Sequence, residues 1–173
     1  MKIVMIYDQI QSGMGTKDDK MLPLGGKKEA IGPAVMMQSF LKEIDGKVIA
    51  TIYCGNGTYL EDPDLVVKKL TMMVKKLNPD IVMCGPAFNF KDYALMAAHT
   101  AKSISTETDI KAFAAMSVEN DSVIEKYKDQ VHIVKTPAKG EAGLNDALRN
   151  MCLMAEHLVN DTVTEELTKE ICY

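Results

Sequence analysis

Two cysteines stand where apolar segments end, at positions that could carry a nucleophile. Cys54 directly follows the segment Lys47–Tyr53, and Cys84 is the last residue of an apolar run that begins near Asp80. A cysteine becomes nucleophilic when a helix N-terminus or a nearby cation stabilises its thiolate. Cys54 and Cys84 are therefore candidate catalytic residues. The alternative is that each fills the core as a small hydrophobic side chain.

A second group of unusual residues follows the run that ends at Cys84. Residues 85–89 read Gly-Pro-Ala-Phe-Asn and lead directly into a helical pattern. Free backbone N–H groups at the start of such a helix bind carboxylates and other anions, whereas Asn89 or Asp92 could instead cap the helix. Glu119 and Asn120 follow the next apolar run. They either form a polar turn or face the same crevice, where the carboxylate could bind an amine.

Two pairs of glycines, Gly13 with Gly15 and Gly55 with Gly57, lie where the backbone could approach a ligand closely. Gly13 and Gly15 follow the first apolar run, but they lack the spacing of a dinucleotide fingerprint and the lysine of a P-loop. A flexible loop that covers a ligand is therefore favoured over nucleotide binding. The four cysteines show no metal-ligand spacing, so no metal site is predicted. The predicted substrate-binding residues are Gly13, Gly15, Gly55, Asn56, Gly85, Pro86, Ala87, Phe88, Asn89, Glu119 and Asn120.

These residues must be positioned by apolar runs that alternate with amphipathic helical patterns. The predicted strands are residues 2–7, 47–53, 80–84, 111–117 and 131–135. Helices are predicted to begin at Pro33, at Pro63 after a capping Asp62, and near Lys91, with a last helix over about 140–160. Such alternation predicts parallel pairing with right-handed crossovers.

The predicted fold class is therefore α/β, a three-layer doubly wound parallel sheet of five strands in the flavodoxin-like order 2-1-3-4-5. Residues 1–162 are expected to form a single domain, with a C-terminal tail or short helix over 163–173. Ligands of such sheets bind outside the carboxyl ends of the strands. The largest crevice is expected there, lined by Gly55, Asn56, Pro86, Phe88, Asn89 and Glu119.

A long polar stretch, residues 9–31, shows no helical periodicity and has few apolar anchors. Loops of this length are often lids or interface arms. We expect it to be mobile in the monomer or to pack against a neighbouring subunit through residues 21–24, which predicts a homo-oligomer.

The net charge and the hydropathy of the chain argue against some classes of binding partner. The net charge of −4 argues against nucleic acid or an anionic membrane surface. No apolar run approaches the length of a membrane span or of a secretory signal. We therefore expect a cytoplasmic protein that acts on a small molecule.

Several of these segments occur together in an order that resembles a known family. They are Gly13-Met14-Gly15, Gly32-Pro33, Cys54-Gly55, the Gly-Pro-Ala-Phe-Asn block with Tyr93, and Met116 with Glu119-Asn120. The chain resembles the selenoprotein B component of the glycine, sarcosine and betaine reductases, to which D-proline reductase is related. The similarity extends to about Asn160, and the Gly-Pro-Ala-Phe-Asn block is its most specific part.

The resemblance implies reductive cleavage of the C–N bond of an amino-acid-like or betaine-like substrate, in anaerobes that ferment amino acids. In such reductases a selenocysteine acts with a pyruvoyl-bearing partner subunit. The chain resembles an N-terminal half and contains no selenocysteine. Both groups are therefore expected on other polypeptide segments, with no cofactor in this chain. We expect a reductase subunit or stand-alone half that needs a partner subunit and is inactive alone.

Two other functions stay open. The first is a non-catalytic module that binds a small ligand or assists assembly with the same fold. The second is an electron carrier that binds flavin in the manner of flavodoxin, which the yellow colour of the purified protein would reveal.

Overall fold

The structure is a computed structural model that describes residues 1–173. Strands alternate with helices along most of the chain. The strands are β1 (Lys2–Tyr7), β2 (Gly25–Lys27), β3 (Lys47–Tyr53), β4 (Ile81–Cys84), β5 (Lys111–Ser117) and β6 (Ile133–Thr136). The helices are α1 (Pro33–Met36), α2 (Gln38–Glu43), α3 (Asn56–Glu61), α4 (Pro63–Leu77), α5 (Lys91–Glu107), α6 (Asp121–Tyr127), α7 (Leu144–Val159) and α8 (Glu165–Ile171). A 3₁₀ turn, Val118–Asn120, joins β5 to α6.

The strands form one mixed sheet in the order β2-β3-β1-β4-β5-β6. All neighbouring pairs are parallel except β2 with β3. The central strands β1 and β4 are apolar without alternation, because both of their faces are covered. Helices α4, α5 and α6 pack side by side on one face, and α2 and α7 pack together on the other. None of the helices is long and apolar enough to cross a membrane.

The sheet therefore has six strands, and the prediction of five strands, all parallel, is wrong. The additional strand β2 lies within the stretch that was expected to be a loop. Its three residues pair antiparallel with β3, with Gly25 opposite Tyr53 and Lys27 opposite Thr51. A strand of three residues with two glycines has no apolar alternation. Strand β2 forms because it can pair with the edge of β3, and its own sequence gives no sign of a strand.

Two helices also differ from the expected pattern. The helix predicted from Pro33 onward is divided at Met37 into α1 and α2. The segment after β3, expected to be a loop, forms α3 from Asn56. By contrast, Asp62 caps α4 as predicted, since its Oδ1 accepts a hydrogen bond from the backbone N–H of Leu65 at 3.1 Å.

The last residues of the chain cover the open edge of β6. Residues 163–173, predicted as a tail or short helix, contain α8 and a short antiparallel bridge between Cys172 and Val134. The backbone N–H of Tyr173 donates to the carbonyl of Ile133 at 3.1 Å. An uncovered strand edge invites pairing with other chains, so this segment protects the sheet. The division of the chain at residue 162 stays a prediction.

The loop after β1 is held on the molecule by polar contacts. The backbone N–H of Gly55 donates to the carbonyl of Leu22 at 2.9 Å, and that of Gly57 donates to the carbonyl of Lys20 at 2.8 Å. The hydroxyl of Thr58 also donates to Leu22, at 2.9 Å. These hydrogen bonds connect the loop to the start of α3. The expected mobility of the loop in the monomer and its packing against a neighbouring subunit both stay predictions.

We predict that Gly55→Ala destabilises the protein by detaching this loop. A Cβ at position 55 would meet the backbone of Lys20 and would lie 2.6 Å from the backbone nitrogen of Leu22. Overpacking of this kind costs about 1–3 kcal/mol. We expect the free energy of unfolding, measured with denaturant, to fall by that amount, and the amides of residues 20–24 to lose protection from hydrogen exchange.

Gly26→Ala is the matched control. Its Cβ would lie 3.4 Å from the carbonyl oxygen of Thr51, an ordinary contact. Stability should therefore change by no more than about 0.5 kcal/mol. A Gly55→Ala protein with the parent's stability and protection would show that the loop is not anchored in this way.

Candidate functional site

The polar residues expected at the carboxyl ends of the strands do lie at one end of the sheet. Because β1, β3, β4 and β5 run parallel, the loops that follow them meet there. We call this end the rim. It contains the loop after β1, the start of α3, the Gly85–Asn89 turn after β4, and the 3₁₀ turn after β5.

A buried hydrogen-bond network connects the first two of these segments. Asp8 is fully buried at the end of β1, and its Oδ1 accepts from the backbone N–H of Gln11 at 2.7 Å. Its Oδ2 accepts from Nδ2 of Asn56 at 3.2 Å. The backbone N–H of Asn56 donates to Oε1 of Gln9 at 3.0 Å. Burial raises the pKa of Asp8, although the two hydrogen bonds to its carboxylate oppose the shift.

The turn after β4 has an unusual backbone that the neighbouring loop supports. The Gly85–Pro86 peptide bond is cis, and Phe88 has a φ of 48°, in the left-handed region that non-glycine residues rarely adopt. The backbone N–H of Ser117 donates to the carbonyl of Phe88 at 3.0 Å. Nδ2 of Asn120 donates to the same carbonyl and to that of Ser117. The turn is thus held from the end of β5.

Glu119 lies in the polar turn that the sequence offered as one of two alternatives, and its binding of an amine stays a prediction. Its side chain is exposed, and its Oε2 accepts from the hydroxyl of Ser117 at 2.9 Å and from the backbone N–H of Lys139 at 3.1 Å. The carboxylate therefore joins the turn after β5 to the loop between β6 and α7. In this arrangement it is engaged with protein donors rather than with an amine ligand.

Two shallow clefts open at the rim, and Phe90 lines both. We call the first the lysine cleft; its volume is about 220 Å³, and it is lined by Gln9, Ile10, Lys17, Lys20, Asn56, Phe90, Lys91 and Asp92. We call the second the Phe88 cleft; its volume is about 250 Å³, and it is lined by Phe88, Asn89, Phe90, Pro137, Ala138, Lys139, Gly140, Glu141 and Leu144.

The lysine cleft favours an anion at the start of α5. The N-cap residue of this helix is Phe90, and no side chain caps it, so the alternative of a cap by Asn89 or Asp92 is not observed. The first backbone N–H groups of a helix have no partner within the helix and carry partial positive charge. Lys17, Lys20 and Lys91 line the same cleft against a single acidic residue, Asp92.

Three of the predicted substrate-binding residues line one of these clefts, and the other eight line neither. Asn56 lines the lysine cleft, and Phe88 and Asn89 line the Phe88 cleft. The others line neither: they are Gly13, Gly15, Gly55, Gly85, Pro86, Ala87, Glu119 and Asn120. Most of these shape or support the loops instead, as the contacts of Gly55 and Asn120 show.

The expectation that the rim contains the largest crevice is wrong. A cavity of about 670 Å³ lies at the opposite end of β5 and β6, beside Lys111 and His132. It is lined by residues that follow the ends of α5 and α6, by the first residues of β5, and by Leu158 near the end of α7. It shares no residue with the rim clefts.

The two candidate nucleophiles are buried below the rim. Cys54 and Cys84 are both fully shielded from solvent. Burial raises the pKa of Cys54 to about 11 and that of Cys84 further still. The sulfur of Cys54 lies 3.5 Å from the carbonyl of Gly55, to which a neutral thiol can donate. Their catalytic role stays a prediction, and this geometry favours the alternative of neutral thiols in the core.

Sequence reasoning missed most of the lysine cleft. Gln9, Lys17, Lys20 and Lys91 were not among the candidate residues, although Lys17 and Lys20 follow the glycine loop directly. A signal was present at Lys91, because a lysine in the first turn opposes the helix dipole. The adjacent Asp92 supplies a negative charge in the same turn, so Lys91 alone did not indicate a ligand.

The fold and the rim together define an α/β protein with a cation-rich cleft at the carboxyl ends of its strands. Comparison with known proteins specifies the class further. The chain belongs to the family of glycine/sarcosine/betaine reductase selenoprotein B, which it matches over residues 1–171.

Curated relatives carry names from the same family. The chain is 29% identical over 136 residues to the sarcosine reductase complex component B subunit beta of Peptoclostridium acidaminophilum, covering 79% of this chain and 31% of the relative. It is 30% identical over 133 residues to the glycine reductase complex component B subunit gamma of Carboxydothermus hydrogenoformans, covering 77% and 30%. The corresponding subunit of Symbiobacterium thermophilum is 26% identical over 158 residues, covering 91% and 36%.

The chain therefore spans about a third of the length of the relatives it matches. No solved structure gives a significant match to it.

We predict that Asn120→Ala destabilises the protein and loosens the Gly85–Asn89 turn. The substitution leaves the carbonyl of Phe88 without one of its donors in a buried setting, which costs about 1–3 kcal/mol. We expect the free energy of unfolding to fall by that amount and the amides of residues 87–90 to exchange faster. The control is Val118→Ala in the same turn, where the side chain is 58% exposed and a change within about 0.5 kcal/mol is expected. Equal effects of the two substitutions would contradict a supporting role for Asn120.

Proposed function

We propose that this chain is a substrate-binding part of a glycine/sarcosine-reductase-type complex. It binds a small zwitterion, with a carboxylate and an amino group, in the lysine cleft. Reductive C–N cleavage then depends on a redox nucleophile from another polypeptide segment. The observation that carries this proposal is the uncapped start of α5 facing three lysines in a chain of this family.

The carboxylate end of the substrate suits the start of α5. Backbone N–H groups at a helix N-terminus bind anions, and Lys91 adds a formal charge at the same position. Lys17 and Lys20 approach from the loop after β1. A cleft of about 220 Å³ accommodates a molecule of a few heavy atoms, since drug-sized ligands occupy about 300–1,000 Å³.

The need for another segment follows from the thiols of this chain. A thiolate is the reactive form of cysteine, and burial raises the pKa of all four cysteines: Cys54, Cys84, Cys152 and Cys172. None of them lines the lysine cleft, so these residues do not fit the role of the redox nucleophile. In the proposal, the selenocysteine and the pyruvoyl group that the resemblance implies both lie outside this chain.

A non-catalytic module with the same cleft is the second candidate. The buried thiols favour it, because they leave the chain with a binding site and no reactive group of its own. A flavin carrier has less support, since each rim cleft is smaller than the 300 Å³ at which drug-sized pockets begin. The absorbance of the purified protein tests that possibility directly.

We predict that glycine binds at the lysine cleft and that Lys91→Gln weakens this binding. Titration followed by amide chemical shifts should move the signals of Gln9, Asn56 and Asp92. A charged contact near the surface contributes up to about 1 kcal/mol, so the Kd should rise about threefold to fivefold. Lys139→Gln, on the Phe88 cleft of the same rim, is the matched control and should leave the Kd unchanged. Shifts confined to the Phe88 cleft would overturn the assignment of the site.

We also predict that the isolated chain does not cleave glycine, sarcosine or betaine in the presence of a dithiol. The reason is that its thiols are neutral and buried at pH 7. Formation of the free amine from each substrate would be measured by chromatography. Sustained turnover that disappears in Cys54→Ser or Cys84→Ser would refute the prediction and restore that cysteine as the nucleophile. Turnover gained on adding a partner subunit would distinguish the reductase from the non-catalytic module.

A further inference from the structure

A groove of about 270 Å³ lies at the edge of the sheet, between β2 and the second half of α4. We call it the edge groove. Its apolar lining consists of Ala50 and Ile52 of β3 and Met73 and Leu77 of α4. Gly26 of β2 has no side chain to fill this space, since even a Cβ there would lie 3.7 Å from the methyl group of Met73. The edge groove shares no residue with the rim clefts.

Lysines that are distant in sequence come together around the edge groove. Lys27, Lys28 and Lys76 all line it. Of these three, only Lys27 forms an ion pair, with Glu29 at 3.9 Å. Because the chain as a whole has a net charge of −4, this is a local excess of positive charge. Positive charge beside an apolar lining fits a ligand that carries both carboxylates and apolar groups.

The same combination of charge and apolar surface continues along α4. Lys69 lies four residues before Met73 and seven before Lys76, so it is on the same side of the helix as these groove residues. Met72 lies beside Lys69 and Lys76 on the helix surface and is 51% exposed. Lys69 and Lys76 are about 10 Å apart along the helix axis. The positive surface therefore extends away from the groove, which favours an extended polypeptide over a small molecule.

The outer edge of β2 has no neighbouring strand. Strand β2 is the last strand of the sheet and pairs only with β3, whereas the end of the chain covers the edge of β6. An unpaired edge offers backbone N–H and C=O groups to an extended segment. Lysines beside such an edge repel a basic strand and attract an acidic one. The charge around β2 therefore selects which segments can pair with it.

We propose that the edge groove is a docking site for an extended, acidic segment of a partner polypeptide. The segment adds a strand to the outer edge of β2, places apolar side chains in the groove, and places carboxylates beside Lys28 and Lys76. No aromatic side chain lines the groove. Single-stranded nucleic acid is bound by stacking of its bases on such side chains, so a protein segment is favoured over nucleic acid.

The first test is a titration of the full chain with the acidic peptide Glu-Glu-Glu-Leu-Thr-Val-Thr-Leu-Glu-Glu, followed by amide chemical shifts. We expect the signals of Gly26, Ile52 and Met73 to move. One or more amides of residues 25–27 should gain protection from hydrogen exchange, because the added strand occupies their edge. The same peptide with lysine in place of each glutamate should cause no shifts.

Three variants test the assigned contacts. Lys28→Gln combined with Lys76→Gln should raise the Kd of the acidic peptide about tenfold, because two exposed charged contacts are lost. The matched control combines Lys42→Gln with Lys139→Gln, two exposed lysines outside the groove, and should change the Kd by less than about twofold. Gly26→Ile places a side chain in the groove and should weaken binding by about tenfold or more. Its thermal transition shows whether it folds, and the lysine variants decide the question if it does not.

Several results would overturn the proposal. They are no binding of the acidic peptide, equal effects of the two double variants, and shifts confined to the lysine cleft. Tighter binding of oligothymidylate than of the peptide at the same residues would indicate nucleic acid instead. Shifts of these residues that depend on protein concentration alone would show that a second copy of the chain covers the groove. Each of these outcomes leaves the proposed function standing, because the edge groove and the lysine cleft are separate.

Discussion

The buried carboxylate of Asp8 is the constraint on which the rim depends. Located at the end of β1 and shielded from solvent, it is stable only if hydrogen bonds replace those of water. The donors come from the backbone of Gln11, in the loop after β1, and from the side chain of Asn56, at the start of α3. One carboxylate thereby connects two segments that are distant in sequence. Both contribute residues to the lysine cleft, so the cleft has a defined shape before any ligand binds.

A second buried asparagine stabilises the other half of the rim in a similar way. Nδ2 of Asn120 reaches from the loop after β5 to the carbonyl of Phe88 in the turn after β4. Its Oδ1 is also buried without a partner. However, Asn120 lines neither rim cleft, whereas Asn56 lines the lysine cleft. Both Oδ1 atoms have almost no solvent-accessible area, so each asparagine acts on the rim through its amide nitrogen.

The strands and their common end could be predicted because the signals are local. Apolar runs define β1, β3 and β5 with the same bounds in sequence and structure. Strand β2 could not be predicted, since Gly25 and Lys27 form a strand only through their pairing with β3. The lysine cleft was missed for a related reason. Lys17, Lys20 and Lys91 come together only when the loop after β1 packs against the start of α5, and no periodicity reports that packing.

The start of α5 has no side-chain cap, and neither do the starts of α1, α2, α3, α6 and α7. Asp62 caps α4 and Thr164 caps α8, each through a hydrogen bond to a backbone N–H of the first turn. Helix α5 begins after Phe90 with both Lys91 and Asp92 in its first turn, so one charge there opposes the helix dipole and the other favours it. The first backbone N–H groups of α5 have no partner within the helix, and an anion bound there would accept from them. The missing cap is therefore not what distinguishes α5, and the argument for an anion rests on its place at the lysine cleft, where Lys17 and Lys20 add positive charge.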